Sequence, residues 1–93
     1  MSIQSITIYG RRWIRRGFGN TYCTAEVYIN GKLAFRTPEQ YGYDDHYITI
    51  ARDALVSSGV LAIPEGKPLW SYCRDNGIEL VTSVADVSRE KDL

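Results

Sequence analysis

The chain has 93 residues, eleven basic and eleven acidic, and no formal net charge, a length that supports one hydrophobic core without disulfide or metal staples. No apolar run approaches the length of a membrane span, and no internal repeat, low-complexity stretch, linker, or catalytic or metal-binding motif is visible, so one α+β domain covering residues 1–93 is expected. Charge is uneven along the chain: residues 1–36 hold six basic residues and one acidic (+5), while residues 37–93 hold five basic and ten acidic (−5). Such an asymmetry predicts a two-sided molecule able to meet a charged partner through its first half.

Ile6 to Arg16 alternates, with Ile6, Ile8, Gly10, Arg12 and Ile14 on one face and Thr7, Tyr9, Arg11, Trp13 and Arg15 on the other, which predicts a strand. Gly17-Phe18-Gly19-Asn20 suits a tight reversal. A second strand is expected over Thr21 to Ile29, with Cys23, Ala25, Val27 and Ile29 inward and Tyr22, Thr24, Glu26 and Tyr28 outward. Setting Arg16 against Thr21 pairs Ile14 with Cys23 and Ile8 with Ile29 on the core side. On the outer side the same register pairs Arg15 with Tyr22, Arg11 with Glu26 and Tyr9 with Tyr28, each a stabilising combination. Gly10 and Arg12 sit awkwardly in the core row, which suggests a bulge near Gly10 and a sheet-end position for Arg12.

Asn30-Gly31 marks a second turn. A two-residue type I′ turn scatters apolar residues over both faces, whereas a three-residue loop with a G1 bulge sets Leu33 against Val27 and Phe35 against Ala25, so the bulged turn is preferred. Lys32 and Arg36 then join the outer face.

Thr37 to Tyr43, with Pro38 and Gly42, reads as a loop whose tyrosines plug a core end or extend the outer surface. Asp44 or Asp45 caps a helix in which Tyr47, Ile50, Ala51, Ala54, Leu55 and Ser58 recur at helical spacing up to Gly59. That helix covers the inner sheet face. After the apolar stretch Val60–Ile63 and a connector, Pro68 opens a short helix carrying Leu69, Trp70, Tyr72 and Cys73 and ended by Gly77. Residues 78–84 alternate as an edge strand, and Ser88 to Leu93 forms a solvated tail or fraying turn. The expected fold is therefore α+β, a four-stranded mainly antiparallel sheet of order β-β-β-α-α-β with both helices on one face.

The outer face collects Tyr9, Arg11, Trp13, Arg15, Tyr22, Tyr28, Lys32 and Arg36. Aromatic planes between guanidinium groups suit partner binding, including stacking on unpaired bases and contact with phosphates. Long aromatic and basic side chains also serve as a plain cover for a small sheet. His46 beside Asp44 and Asp45 is a candidate acid–base pair, but no spacing supplies a nucleophile and the acids suffice as caps. Cys23, Cys73 and His46 lack the close ligand pairs of a zinc site, so no metal or other cofactor is expected. The cysteines read as free buried thiols in a reducing compartment, and with no secretory signal pattern at the start, the cytoplasm is the expected location. The Gly17–Asn20 segment joins two strands and not a strand to a helix, so it is a hairpin tip, with Phe18 a candidate anchor, and not a phosphate loop.

The run Ile6-Thr7-Ile8-Tyr9-Gly10-Arg11-Arg12-Trp13, with Gly19-Asn20-Thr21-Tyr22, Tyr41-Gly42-Tyr43 and Lys91-Asp92-Leu93, resembles small uncharacterised proteins of phages and prophages over nearly the whole chain. That resemblance implies, by analogy with the anti-CRISPR class, an inhibitor of bacterial defence with no enzymatic activity, working in the host cytoplasm. Its implied partner is a CRISPR effector complex, protein or guide RNA, met through the outer face. The alternative implied by the same face is a small protein that binds single-stranded nucleic acid.

Overall fold

A computed structural model describes residues 3–15, 17, 19–42 and 46–93. In chain order the elements are β1 (Ser5–Arg15), β2 (Asn20–Ile29), β3 (Lys32–Arg36), β4 (Gln40–Tyr41), α1 (His46–Ser57), α2 (Leu69–Asp75), β5 (Glu79–Val87) and a closing 3-10 turn (Glu90–Asp92). The strands form one mixed sheet of order β3-β2-β1-β5, with β4 also paired to β2. β1, β2 and β3 are an antiparallel meander, whereas β5 lies parallel to β1. The α+β class and the two helices on one face are therefore as the sequence implies, and a fifth, two-residue strand is added.

The chain leaves the sheet at β4 on one edge and rejoins it at β5 on the other, so α1 and α2 must cross the inner face. Ile6 and Ile8 of β1 and Cys23, Ala25 and Val27 of β2 meet Tyr47, Ile50, Ala51 and Leu55 of α1 and Leu69 and Cys73 of α2 in one buried cluster. Leu61 and Ile63 of the connector complete it, because their alternate spacing turns both inward while Val60 faces out. α1 ends in a Schellman arrangement: Gly59 has φ +80°, and the Val60 N–H donates to the Leu55 carbonyl at 3.1 Å. Arg52 then ties the connector to α1, its Nε donating to Lys67 O at 2.9 Å and its guanidinium to Pro64 O at 3.2 Å.

The first hairpin differs from expectation by two residues. Ile14, not Arg16, opposes Thr21, so Ile8 pairs with Val27, Gly10 with Ala25, Arg12 with Cys23 and Trp13 with Tyr22. The loop starts one residue earlier, with Gly17 at φ +85° and Gly19 at φ +69°, and the Gly19 N–H closes on Arg15 O at 3.2 Å. Arg16 and Phe18, and with them any role of Phe18 as an anchor, lie outside the described residues. No bulge occurs at Gly10, where the pairing to both neighbouring strands is continuous. Instead Gly10 opposite Ala25 leaves a hollow that the Tyr47 ring fills. Arg12 stands opposite Cys23, three residues before the end of β1, and holds Asp86 of β5 through Nε at 2.8 Å. Ile14 leaves the expected core: it is 59% exposed, because the β1–β2 hairpin runs past the end of the helical layer.

The second turn also corrects the expectation. Asn30 (φ 52°) and Gly31 (φ 82°) form a two-residue loop with Ile29 paired to Lys32, the positive φ at both positions being the type I′ signature. The bulge sits one pair further on, where the register shifts between Val27 and Tyr28 and returns Phe35 to the core side opposite Val27. The buried face still sets the register, by a bulge in the strand and not in the turn. Asn30 adds a brace, its Oδ1 accepting from the N–H groups of Gln4 (2.7 Å) and Ser5 (3.1 Å).

Between β3 and β4 the edge strand breaks at Thr37, which bridges the gap twice. Its N–H donates to Ala25 O at 2.8 Å, and its Oγ1 accepts from Ala25 N–H at 2.9 Å in place of a ladder carbonyl. Gly42 then donates to Thr21 O at 2.9 Å. The Glu90 carboxyl of the closing 3-10 turn reaches this segment, where loss of hydration and then that carboxyl raise the pKa of Glu39. The expected helix cap at Asp44 or Asp45 lies outside the described residues, as does Tyr43. Pro68 sits one place earlier than expected, at the α2 N-cap, and β5 extends three residues past the expected end to Val87.

Candidate functional site

Alternation along β1 and β2 carries Tyr9, Arg11, Trp13, Arg15, Tyr22 and Tyr28 to the sheet face opposite the helices, and Arg36 opposite Glu26 joins them. Lys32 does not. It opposes inward-facing Ile29, while Leu33 opposes Tyr28, so the type I′ turn exchanges the two and places a half-exposed leucine on the outer face.

A register shift of two keeps every side chain on its face, and diagonal contacts restore two of the expected pairs. Tyr9 meets Tyr28 edge-on with ring centroids 5.4 Å apart, although Glu26 stands directly opposite Tyr9. Arg11, opposite Thr24, reaches Glu26 with its Nη2 at 3.3 Å. Both contacts follow the same diagonal, as the twist of an antiparallel pair dictates. Directly opposite each other, Trp13 and Tyr22 stack at 5.9 Å and 29°.

Tyr41 is the residue that sequence reasoning left open. The short β4 sets it opposite Tyr22, edge-on at 5.8 Å and 58% exposed, so Trp13, Tyr22 and Tyr41 form a connected aromatic run across three strands. A two-residue strand after a proline leaves almost no periodic signal; only the paired tyrosines flanking Gly42 hint at it. Glu26 is the second key residue. It is 9% exposed at the centre of the face, held between Arg11 and Arg36, whose Nε lies 2.8 Å from its Oε2. One carboxylate therefore compensates two of the basic residues expected to meet a partner.

His46 begins α1 with its ring against Gly42, where any Cβ would collide with it. The contact gives this imidazole a packing role. Cys23 and Cys73 are free thiols, each 1% exposed. Burial pushes both thiols above their ordinary pKa, an effect that nearby Arg12 partly offsets at Cys23. Such thiols are poor nucleophiles. Among the described residues no group of three His, Cys, Asp or Glu side chains is placed to hold a metal ion. A groove of about 550 Å³ runs between α1 and the broken edge, lined by Phe35, Pro38, Ile50 and Ala54 with Thr37 and Asp53 at its rim. A smaller one of about 340 Å³ lies between α1, α2 and β5. Among the described residues no helix is long and apolar enough to cross a membrane.

The arrangement offers an open sheet face with a connected aromatic run and a charge-compensated centre, set on a rigid two-layer core. No protein-family model, curated protein or solved structure matches the chain.

Proposed function

We propose that the protein is a non-catalytic docking module that binds a macromolecular partner through the outer face of its sheet, acting in the host cytoplasm as a phage-encoded, anti-CRISPR-like inhibitor of a bacterial defence nucleoprotein complex. The observation that carries the docking reading is the Trp13–Tyr22–Tyr41 run, partly exposed on the face that the helices leave uncovered. Tyrosine, tryptophan and arginine are the residues that most often dominate protein interfaces, because large rigid side chains gain contact area at little entropic cost. Glu26 favours a protein surface over bare nucleic acid. It compensates Arg11 and Arg36 at the middle of the face, where a polyanion binder gains most from uncompensated charge. The inhibitor reading adds the sequence resemblance to phage and prophage proteins.

The test is binding of the purified protein to a panel of assembled CRISPR effector complexes and, separately, to single-stranded oligonucleotide at low salt. Capture of an effector that weakens at least tenfold on Trp13→Ala or Tyr41→Ala supports the reading. Retention of free oligonucleotide with steep salt dependence, lost on Arg15→Glu, supports a single-strand binder instead. Binding to neither removes both.

A further inference from the structure

The two edges of the sheet are built unlike. The β3–β4 edge is broken at Thr37-Pro38-Glu39, bulged opposite Val27/Tyr28 and studded with Lys32 and Arg36, all devices that discourage another strand from pairing there. β5 has none of them. It runs nine residues without proline, glycine, lysine or a register break, holds three valines, and has no strand beyond it among the described residues. The Glu79 N–H donates to Gln4 O at 3.0 Å on the β1 side. Because the groups alternate along a strand, the N–H and C=O of Leu80, Thr82, Val84 and Asp86 point outward.

We propose that β5 is a self-association edge, on which a second copy of the chain adds its own β5 antiparallel about a two-fold axis at Val84. A two-fold at Val84 sets residues 81–87 of β5 against the same residues of the partner, so the pattern must be self-complementary. About Val84 it is. Val81 meets the partner's Val87, and Thr82 meets the partner's Asp86 and can donate its hydroxyl to that carboxylate. The neighbouring register, centred on Ser83, sets apolar Leu80 against the partner's Asp86 and parts Val81 from Val87. A two-fold normal to the sheet also brings both outer faces to the same side of one continuous sheet, giving a bivalent surface.

The experiment is sedimentation of the full chain over a concentration series, with far-ultraviolet circular dichroism as the check on folding. Wild type is expected to show a reversible monomer–dimer equilibrium. Thr82→Pro removes only an outward N–H of an exposed residue and should leave the fold while abolishing the dimer. Val81→Lys alone, or Val87→Glu alone, should raise the dimer Kd about tenfold, and the double swap should restore it. A wild type that stays monomeric throughout, a dimer untouched by Thr82→Pro in folded protein, or a double swap that fails to recover the singles overturns the proposal.

Discussion

Tyr47 lies face-on against Gly10, so close that a β-carbon on the glycine would stand 2.5 Å from ring atoms Cγ and Cδ2. Nothing flexible separates them: the ring is buried, and the strand beneath it is paired on both sides. Gly10→Ala should therefore cost roughly 1–3 kcal/mol by overpacking, read as a lowered urea midpoint. In a Tyr47→Ala background, which removes ring atoms Cγ and Cδ2, the same alanine should cost much less. Additive losses in the two variants would show that the ring is not what the glycine makes room for.

Thr37 supports the broken edge through its hydroxyl, which is the acceptor for the buried Ala25 N–H. Thr37→Val keeps the shape and removes the acceptor, leaving a buried donor without a partner, so a loss of roughly 1–3 kcal/mol is expected. Thr37→Ser should stay near wild type. A loss confined to Thr37→Ser would instead locate the effect in the methyl group.

Asn30 has two separable duties, a left-handed backbone and a brace on the start of β1. Asn30→Gly keeps the first and loses the second, and should cost about 1 kcal/mol. Asn30→Ala loses both, and should cost about 1–2 kcal/mol more because alanine resists the left-handed region. Thermal denaturation of the pair gives the order directly; a glycine variant no better than the alanine one would remove the backbone contribution.

These residues also show how much of the fold was legible in the sequence. Strand faces were readable because alternation has period two, and the helices because their apolar positions recur at three and four. The hairpin register was not, since sliding β2 by two residues returns every side chain to its own face. What decides it is the pit made by Gly10 and Ala25, and that pit has meaning only once Tyr47 is brought to it from α1. The second turn was misread for a related reason. Asn30-Gly31 points to a type I′ turn, and the apparent conflict with Leu33 and Phe35 is resolved by a bulge one pair away. The turn is also why Leu33, and not Lys32, belongs to the candidate face. Tyr41 and the double role of Glu26 depend on contacts across three strands, beyond any single periodic pattern.

Glu26 carries the choice between partner classes, so its neutral isostere is informative. Glu26→Gln leaves Arg11 and Arg36 uncompensated at the centre of the face. Both arginines are substantially exposed, so the stability loss should be modest, about 1 kcal/mol. Binding to single-stranded oligonucleotide at low salt should rise several-fold, with a steeper salt dependence. An unchanged oligonucleotide affinity would mean that the face does not meet the phosphates, whatever else the protein binds.

The two thiols make a prediction about alkaline stability. Burial raises the pKa of both Cys23 and Cys73 above the ordinary thiol value of 9.0, so from about pH 9 upward the unfolded chain releases protons that the folded protein retains. Stability is thus fully present below that value and falls as pH rises toward the folded pKa values, with a slope of up to about 1.4 kcal/mol per pH unit for each thiol. Urea denaturation at a series of pH values should show this fall in wild type, and a Cys23→Ala/Cys73→Ala variant, less stable at neutral pH through lost packing, should show a shallower one. Below pH 8 the two curves should run parallel. The same burial predicts that a thiol reagent labels the native protein only as fast as it opens, so labelling should accelerate sharply at the urea midpoint. Prompt labelling of either cysteine in the native protein would contradict both its burial and the alkaline slope.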